Sequence, residues 1–183
     1  SYDALGNVTE VLYSDGTKEC SEFDLLGNIL SYSDREGYER KFSYDCLGNL
    51  EKIEDFAGPI EYYTYYPGGL LKKEWHMDGK SREFWYDENE NIVQILENEK
   101  TRWKFSYDSM GRVIKAEQEE GICENYSYDA LGNVVSVING EGEKTSYHYN
   151  LSGLLDLVTD ACGNQTSYKY DKCRQLIEIC QPV

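Results

Sequence analysis

Seven carboxylates stand beside an aromatic residue at a recurring interval: Asp3, Asp24, Asp45, Asp87, Asp108, Asp129 and Asp171. A row of this kind has two possible chemistries. It can ligate calcium, which takes about six to eight oxygens. Alternatively, each carboxylate can accept backbone N–H bonds within a turn. The flanking residues favour the turn. The Asp-x-Asp-x-Asp-Gly density of a calcium hand is missing, and so is the Gly-Gly-x-Gly-x-Asp nonapeptide of calcium rolls. A recurring Asn (Asn7, Asn28, Asn49, Asn91, Asn133) suits the same turn, because Asn tolerates left-handed backbone. No cofactor and no metal are expected.

Other residues with chemical potential are scattered. Trp75, Trp85 and Trp103 have tyrosine neighbours and are the candidate ligand-binding residues. Indole faces suit carbohydrate stacking; the rival reading is that they pack a wider part of the structure. His148 lies between Tyr147 and Tyr149 with no periodic nucleophile partner. Glu119-Glu120 reads as a solvated pair beside a turn. No nucleophile elbow, phosphate loop or dinucleotide fingerprint occurs. No enzyme activity is expected. Cys20, Cys46, Cys123, Cys162, Cys173 and Cys180 occupy six different registers, without any Cys-x-x-Cys. They read mostly as small, partly buried thiols.

What positions these groups is a repeat. The phrase aromatic, Asp, two free residues, Gly, Asn, aliphatic begins at Tyr2, Phe23, Tyr44, Tyr65, Tyr86, Tyr107, Tyr128, Tyr149 and Tyr170. The step from Tyr2 to Phe23 recurs unchanged between every later pair of starts, with no insertion or deletion. A strict period of this size means units that bury themselves by stacking on their neighbours. Counting the opening aromatic as position zero, glycine recurs at position four (Gly6, Gly27, Gly48, Gly69, Gly111, Gly132, Gly153), with Glu90 and Arg174 as exceptions. It recurs again at position fourteen, where Lys100 is the exception. Two turns per repeat leave strands of ordinary length between them. Asp15-Gly16 and Asp78-Gly79 are hairpin signals.

The strand entering each motif carries two aromatics around a mostly polar residue, as in Phe42-Ser43-Tyr44 and Tyr126-Ser127-Tyr128. Both rings therefore face one side. Aliphatics recur at position six (Ile29, Leu50, Val113, Val134) and often at position nine (Val11, Ile53, Ile95, Val137). That odd spacing requires either a bulge or two covered faces. A two-residue turn at positions thirteen and fourteen would set position six opposite the next repeat's opening aromatic. The expected fold is all-β: tandem hairpins in a continuous curled antiparallel sheet of about 17 or 18 strands. A closed propeller with two repeats per blade is the rival.

The formal charge of −16 disfavours nucleic acid and anionic surfaces. No apolar run is long enough to span a bilayer, so no membrane insertion by this segment is expected. The three prolines, Pro59, Pro67 and Pro182, mark no linker. The chain therefore reads as a single array over residues 1–183, opening directly on a repeat like a piece of something longer.

Tyr44-Asp45-Cys46-Leu47-Gly48-Asn49-Leu50 and its companions resemble the YD repeats of the Rhs family, found also in teneurins and the C components of bacterial Tc toxins. Tyr107-Asp108-Ser109-Met110-Gly111-Arg112-Val113 is the Gly-Arg variant; Tyr66 replaces Asp in one copy, and Asn150 in another. The resemblance covers essentially the whole chain. It implies a strip of hairpins forming part of a hollow β-shell, a non-enzymatic scaffold that encloses a toxin domain in a secreted or cell-surface bacterial protein. The expected partners are an encapsulated toxin domain or the remainder of the same shell. Some relatives close their shell with an Asp-Pro-x-Gly self-cleavage motif; no Asp-Pro occurs here. The alternative is an adhesion module that binds carbohydrate or a protein. Open strand edges predict self-association of the isolated segment.

Overall fold

The computed structural model describes residues 1–119 and 121–181; Glu120 and Pro182, noted above, lie outside them. Seventeen strands and no helix occur among the described residues. They fall into two compact units. The first comprises Ser1–Trp85 and Ile95–Lys100, the second Tyr86–Gln94 and Thr101–Val183.

The first unit contains β1 (Glu10–Leu12), β2 (Lys18–Phe23), β3 (Ile29–Ser33), β4 (Glu39–Tyr44), β5 (Leu50–Asp55), β6 (Gly58–Tyr65), β7 (Leu71–His76) and most of β8 (Ser81–Tyr86). Each pairs antiparallel with the next in sequence. This unbroken meander of eight is not the four-strand blade of a propeller. β9 (Ile92–Glu97) draws residues from both units. The second unit continues with β10 (Lys100–Tyr107) apart from Lys100, then β11 (Val113–Gln118), β12 (Cys123–Tyr128), β13 (Val134–Ile138), β14 (Lys144–Tyr149), β15 (Leu155–Thr159), β16 (Gln165–Tyr170) and β17 (Leu176–Cys180). These strands too pair in chain order.

The register resolves the odd aliphatic spacing. Each opening aromatic sits opposite position six of its own repeat: Phe23 opposite Ile29, Tyr44 opposite Leu50, Tyr128 opposite Val134. The ladder then slips by one residue. Position nine consequently faces the aromatic two residues earlier, as in Phe42 with Ile53 and Tyr147 with Val158. Directly opposed residues share a sheet face. The bulge therefore gathers positions six and nine onto the side that carries the rings.

The turn between repeats differs from expectation. In the first repeat Tyr13 N–H donates to Thr17 O (2.9 Å) and Gly16 N–H to Tyr13 O (3.0 Å), closing a loop of three residues, not two. The pairing becomes Val11 opposite Glu19. The extra residue shifts the register, so position six does not face the next opening aromatic. Three-residue loops of this kind end in a left-handed residue, here Gly16 at φ 85°. Where Lys100 replaces the glycine, the loop shortens and Asn98 and Glu99 take φ 51° and 65° instead.

Burial is shallow. Among the described residues the buried apolar ones are Phe84 and Ala116. The cysteines contradict the partly buried reading: all six are free thiols, and Cys46, Cys162, Cys173 and Cys180 are exposed. Cys46 and Cys173 occupy free positions of the Asp turn, which points them at solvent; that placement outweighs the thiol's preference for burial.

Candidate functional site

The recurring Asp is a brace. Asp45 Oδ1 accepts the N–H groups of Leu47 (2.9 Å) and Asn49 (2.9 Å), while Oδ2 accepts the Asn49 side-chain amide (2.9 Å). Its own N–H donates to Asn49 O (2.9 Å), and Gly48 N–H donates to Asp45 O (3.0 Å). Asp3, Asp24 and Asp129 build the same loop. These donors stabilise the ionised form. The Asn49 side chain and then its backbone N–H hold Asp45 below the usual carboxylate range. The Asn91 side chain does so for Asp87, and the Arg112 backbone N–H for Asp108. Among the described residues, no group of three or more His, Cys, Asp or Glu is arranged to hold a metal.

The glycine of this loop is required by conformation. Gly132 has φ 92°, and a Cβ there would meet nothing within 4 Å. The limit is thus backbone geometry and not space. Glu90 and Arg174, the two exceptions, adopt φ 64° and 63° and complete the same turn. Tyr66, which replaces Asp, keeps the backbone bond to Leu70 O (2.8 Å), and its hydroxyl donates to Phe84 O (3.0 Å). In the Gly-Arg variant, Arg112 Nε donates to Asp108 Oδ2 (2.7 Å), Nη1 donates to Asp129 O (3.2 Å), and the guanidinium lies 4.6 Å from the Tyr128 ring centre.

The opening tyrosine does more than fill the ring face. Its hydroxyl donates to the position-six carbonyl of the preceding repeat: Tyr44 to Ile29 O (2.8 Å), Tyr65 to Leu50 O (2.7 Å), Tyr107 to Ile92 O (2.6 Å). Tyr128 to Val113 O (2.7 Å), Tyr149 to Val134 O (3.0 Å) and Tyr170 to Leu155 O (2.8 Å) continue the series. Burial raises the pKa of Tyr44, Tyr65, Tyr107 and Tyr149, keeping them as donors. Sequence reasoning placed the rings but missed this latch; the preference for Tyr over Phe at position zero was the available signal. It also missed a second set of Asx loops. Asp34, Asn139 and Asp160, at position eleven, brace the other turn in the same way. Asp160-Ala161-Cys162-Gly163-Asn164 repeats the Asp-x-x-Gly-Asn part of the motif, between Thr159 and Gln165.

The tryptophans differ in setting. Trp75 lies opposite Ser81 and alternates with Glu74, so it points away from the ring face. It meets Tyr62 at 5.7 Å with the rings tilted by 49°. Trp85 follows Phe84 in β8 and likewise alternates away from the rings. Trp103, in the second unit, is on the ring face and stacks on Phe105 at 5.9 Å. His148 Nδ1 is 2.6 Å from Asp156 Oδ1 on an exposed surface. Glu119 stands beside a turn as read.

A buried carboxylate stands on the ring face. Glu74 fills position nine, where Ile53 and Ile95 stand in neighbouring repeats, and is 8% exposed. It pairs with Arg82, and His76 Nε2 lies 3.9 Å away. Tyr63, hydrogen-bonded to Glu61, has its pKa raised, first by burial and then by that carboxylate. In the second unit, Tyr126 donates to Glu124, and that bond, then burial, pushes its pKa up to about 12.

The recurrent Asp and Asn side chains fix the turn, and six of the opening tyrosines tie one hairpin to the last. Such an arrangement defines a tandem hairpin scaffold. The model of the family described as teneurin YD-shell matches residues 12–179, and the chain belongs to that family. Solved structures agree in fold. The TcdB2-TccC3-TEV crystal structure superposes with a TM-score of 0.78 at 17% identity, covering 99% of this chain and 12% of the other. The TcdB2-TccC3 structure without its hypervariable C-terminal region gives 0.77 at 17% identity, covering 99% and 12%. The Tc holotoxin pore of Photorhabdus luminescens gives 0.73 at 15% identity, covering 98% and 14%. The chain thus spans about one eighth of the length of the chains it matches. No protein of curated function matches it.

Proposed function

We propose that this chain is a length of shell wall, a single array of nine repeats within a longer protein, that encloses a toxin or effector domain for delivery. The mechanism is containment, and the segment itself is not catalytic. The observation that carries the reading is the latch between repeats. It spends tyrosine hydroxyls on continuity between hairpins, while the Asp carboxylates brace the turns, where an enzyme would aim such groups at a substrate. The family membership and the fold shared with Tc toxin structures support a secreted or surface-delivered bacterial setting. The test is limited proteolysis of the natural full-length protein. A C-terminal domain that resists protease in the intact protein and is cut once the shell is denatured supports enclosure. A natural chain without such a domain, or with one cleaved at equal rates in both states, overturns it.

A second reading, carbohydrate binding at the surface, rests on Tyr62 and Trp75, a tilted aromatic pair on the polar face. Each ring is more than a third exposed. A glycan array probed with the parent chain and with Trp75→Ala tests it; absence of any parent signal ends it.

A further inference from the structure

The end of the hairpin opposite the recurring Asp turn carries a cleft in the first unit. Asp34, Tyr38, Glu39, Arg40, Asp55 and Phe56 line a cavity of about 400 Å³ between successive turns. Its neighbour one repeat earlier shows what such a cleft holds. There Arg35 reaches back from its own turn to the preceding one. Its guanidinium lies 4.3 Å from the Tyr13 ring centre, pairs with Asp15, and donates from Nε to Thr17 Oγ1 (2.9 Å). The position equivalent to Arg35 in the next repeat is Phe56. The cleft that Phe56 overhangs therefore has aromatic and acidic walls but no arginine delivered from the following turn.

The walls suit a cation. Phe56 is 89% exposed at the tip of a tight loop, where Asp55 pairs with Gly58, and Tyr38 is 65% exposed. Both rings are therefore open to a ligand's face. Asp34 Oδ1 accepts from Glu36 and Tyr38 N–H, and Asp55 Oδ1 accepts from Ala57 N–H (2.7 Å). Among the described residues, the second oxygen of each takes no hydrogen bond and remains available. Glu39 is paired with Lys41 at 3.8 Å, which leaves Asp34 and Asp55 against the one guanidinium of Arg40 and the wall net acidic. Arg40 forms no ion pair among the described residues, so it does not fill the role that Arg35 plays. A guanidinium fits both elements at once, with its plane on an aromatic face and its edge on a carboxylate.

We infer that this cleft is a docking site for an arginine side chain of a basic peptide segment, received between Phe56 and Tyr38 and paired with Asp34 or Asp55. The probe is N-acetyl-arginine methylamide, titrated into the full chain and followed by the aromatic resonances of Tyr38 and Phe56. The citrulline analogue, which has the same shape without the charge, is the control. Saturable shifts with the arginine probe and none with citrulline are expected. Phe56→Ser should weaken binding by roughly three- to thirty-fold through loss of the ring. Phe56→Arg should abolish it while leaving the melting temperature unchanged, because the cleft is then filled from within as Arg35 fills its own. Equal shifts with both probes, or unaltered binding in Phe56→Arg, overturns the assignment.

Discussion

Replacing Tyr107 with Phe removes one oxygen and nothing else. The ring remains, opposite Val113 on the face lined by its neighbours, so no cavity opens and no packing is lost. What disappears is the donor to Ile92 O at 2.6 Å. A neutral hydrogen bond that is partly shielded from water contributes about 1 kcal/mol net. For a chain of this length, a loss of about 1 kcal/mol lowers the melting temperature by about 2–4 °C. Tyr149→Phe and Tyr170→Phe should cost similar amounts. The tyrosines of successive repeats are two strands apart, roughly 10 Å, so the losses should add. The six latched residues are Tyr44, Tyr65, Tyr107, Tyr128, Tyr149 and Tyr170. Removing their hydroxyls together would cost about 6 kcal/mol, comparable with the whole stability of many domains. The chain also offers the reverse experiment. Phe23 occupies the same position without a hydroxyl, and it stands to Val8 as Tyr44 stands to Ile29. Phe23→Tyr should supply the missing bond and raise stability by about 0.5 kcal/mol. The gain is smaller than the other losses because Val8 is exposed. Circular dichroism melts and urea titrations of the single variants give the answer. Unchanged melting of Tyr107→Phe and Tyr149→Phe, with no gain from Phe23→Tyr, would refute the latch.

Three other outcomes follow from the same geometry. Glu90 sits in left-handed backbone at φ 64°. Glu90→Gly should therefore stabilise by about 0.5–1 kcal/mol, read by thermal melting, because that conformation strains any side chain with a Cβ while glycine adopts it freely. Glu74→Leu should be neutral or stabilising, since it restores the aliphatic of position nine, whereas Arg82→Ala should destabilise by about 1–3 kcal/mol by stranding a buried carboxylate. The lower part of that range is apt because Arg82 is itself half exposed. Acid should unfold the chain through the braces. Asp3, Asp24, Asp45, Asp87, Asp108, Asp129 and Asp160 all have pKa values lowered from 3.8, so the unfolded state binds protons first. Their contribution is complete above that ordinary value and is lost as pH falls through the lowered ones. A pH titration of unfolding that shows no extra loss of stability below pH 3.8, relative to an Asp45→Asn, Asp129→Asn variant, would contradict this.

Much of the architecture was legible because period-two alternation and glycine spacing are local signals. Phe42-Ser43-Tyr44 declares its face without reference to anything distant, and glycine at position four declares a left-handed turn. What escaped reading depended on one-residue register. Whether Ser14-Asp15-Gly16 closes as a loop of two or of three decides what faces Val11, and Asp-Gly is compatible with both. The bulge that gathers positions six and nine was legible in their odd spacing, but the residues it sets opposite them belong to the pairing of two strands. The tyrosine hydroxyl escaped for a related reason: its acceptor is a main-chain carbonyl, which leaves no trace in side-chain identity. The exposed cysteines show the opposite error, in which a general preference of the thiol was allowed to outweigh its place at a turn.

The hydroxyl tie runs one way only. Each ring grips a carbonyl belonging to chain already synthesised, never to chain still to come. A ribosome releasing this protein therefore adds hairpins that find their anchor in place as they emerge, the partner lying only 15 residues upstream in Tyr44 and in Tyr170 alike. Growth of the ordered region can keep pace with translation, and a stalled or truncated chain leaves each completed latch already closed.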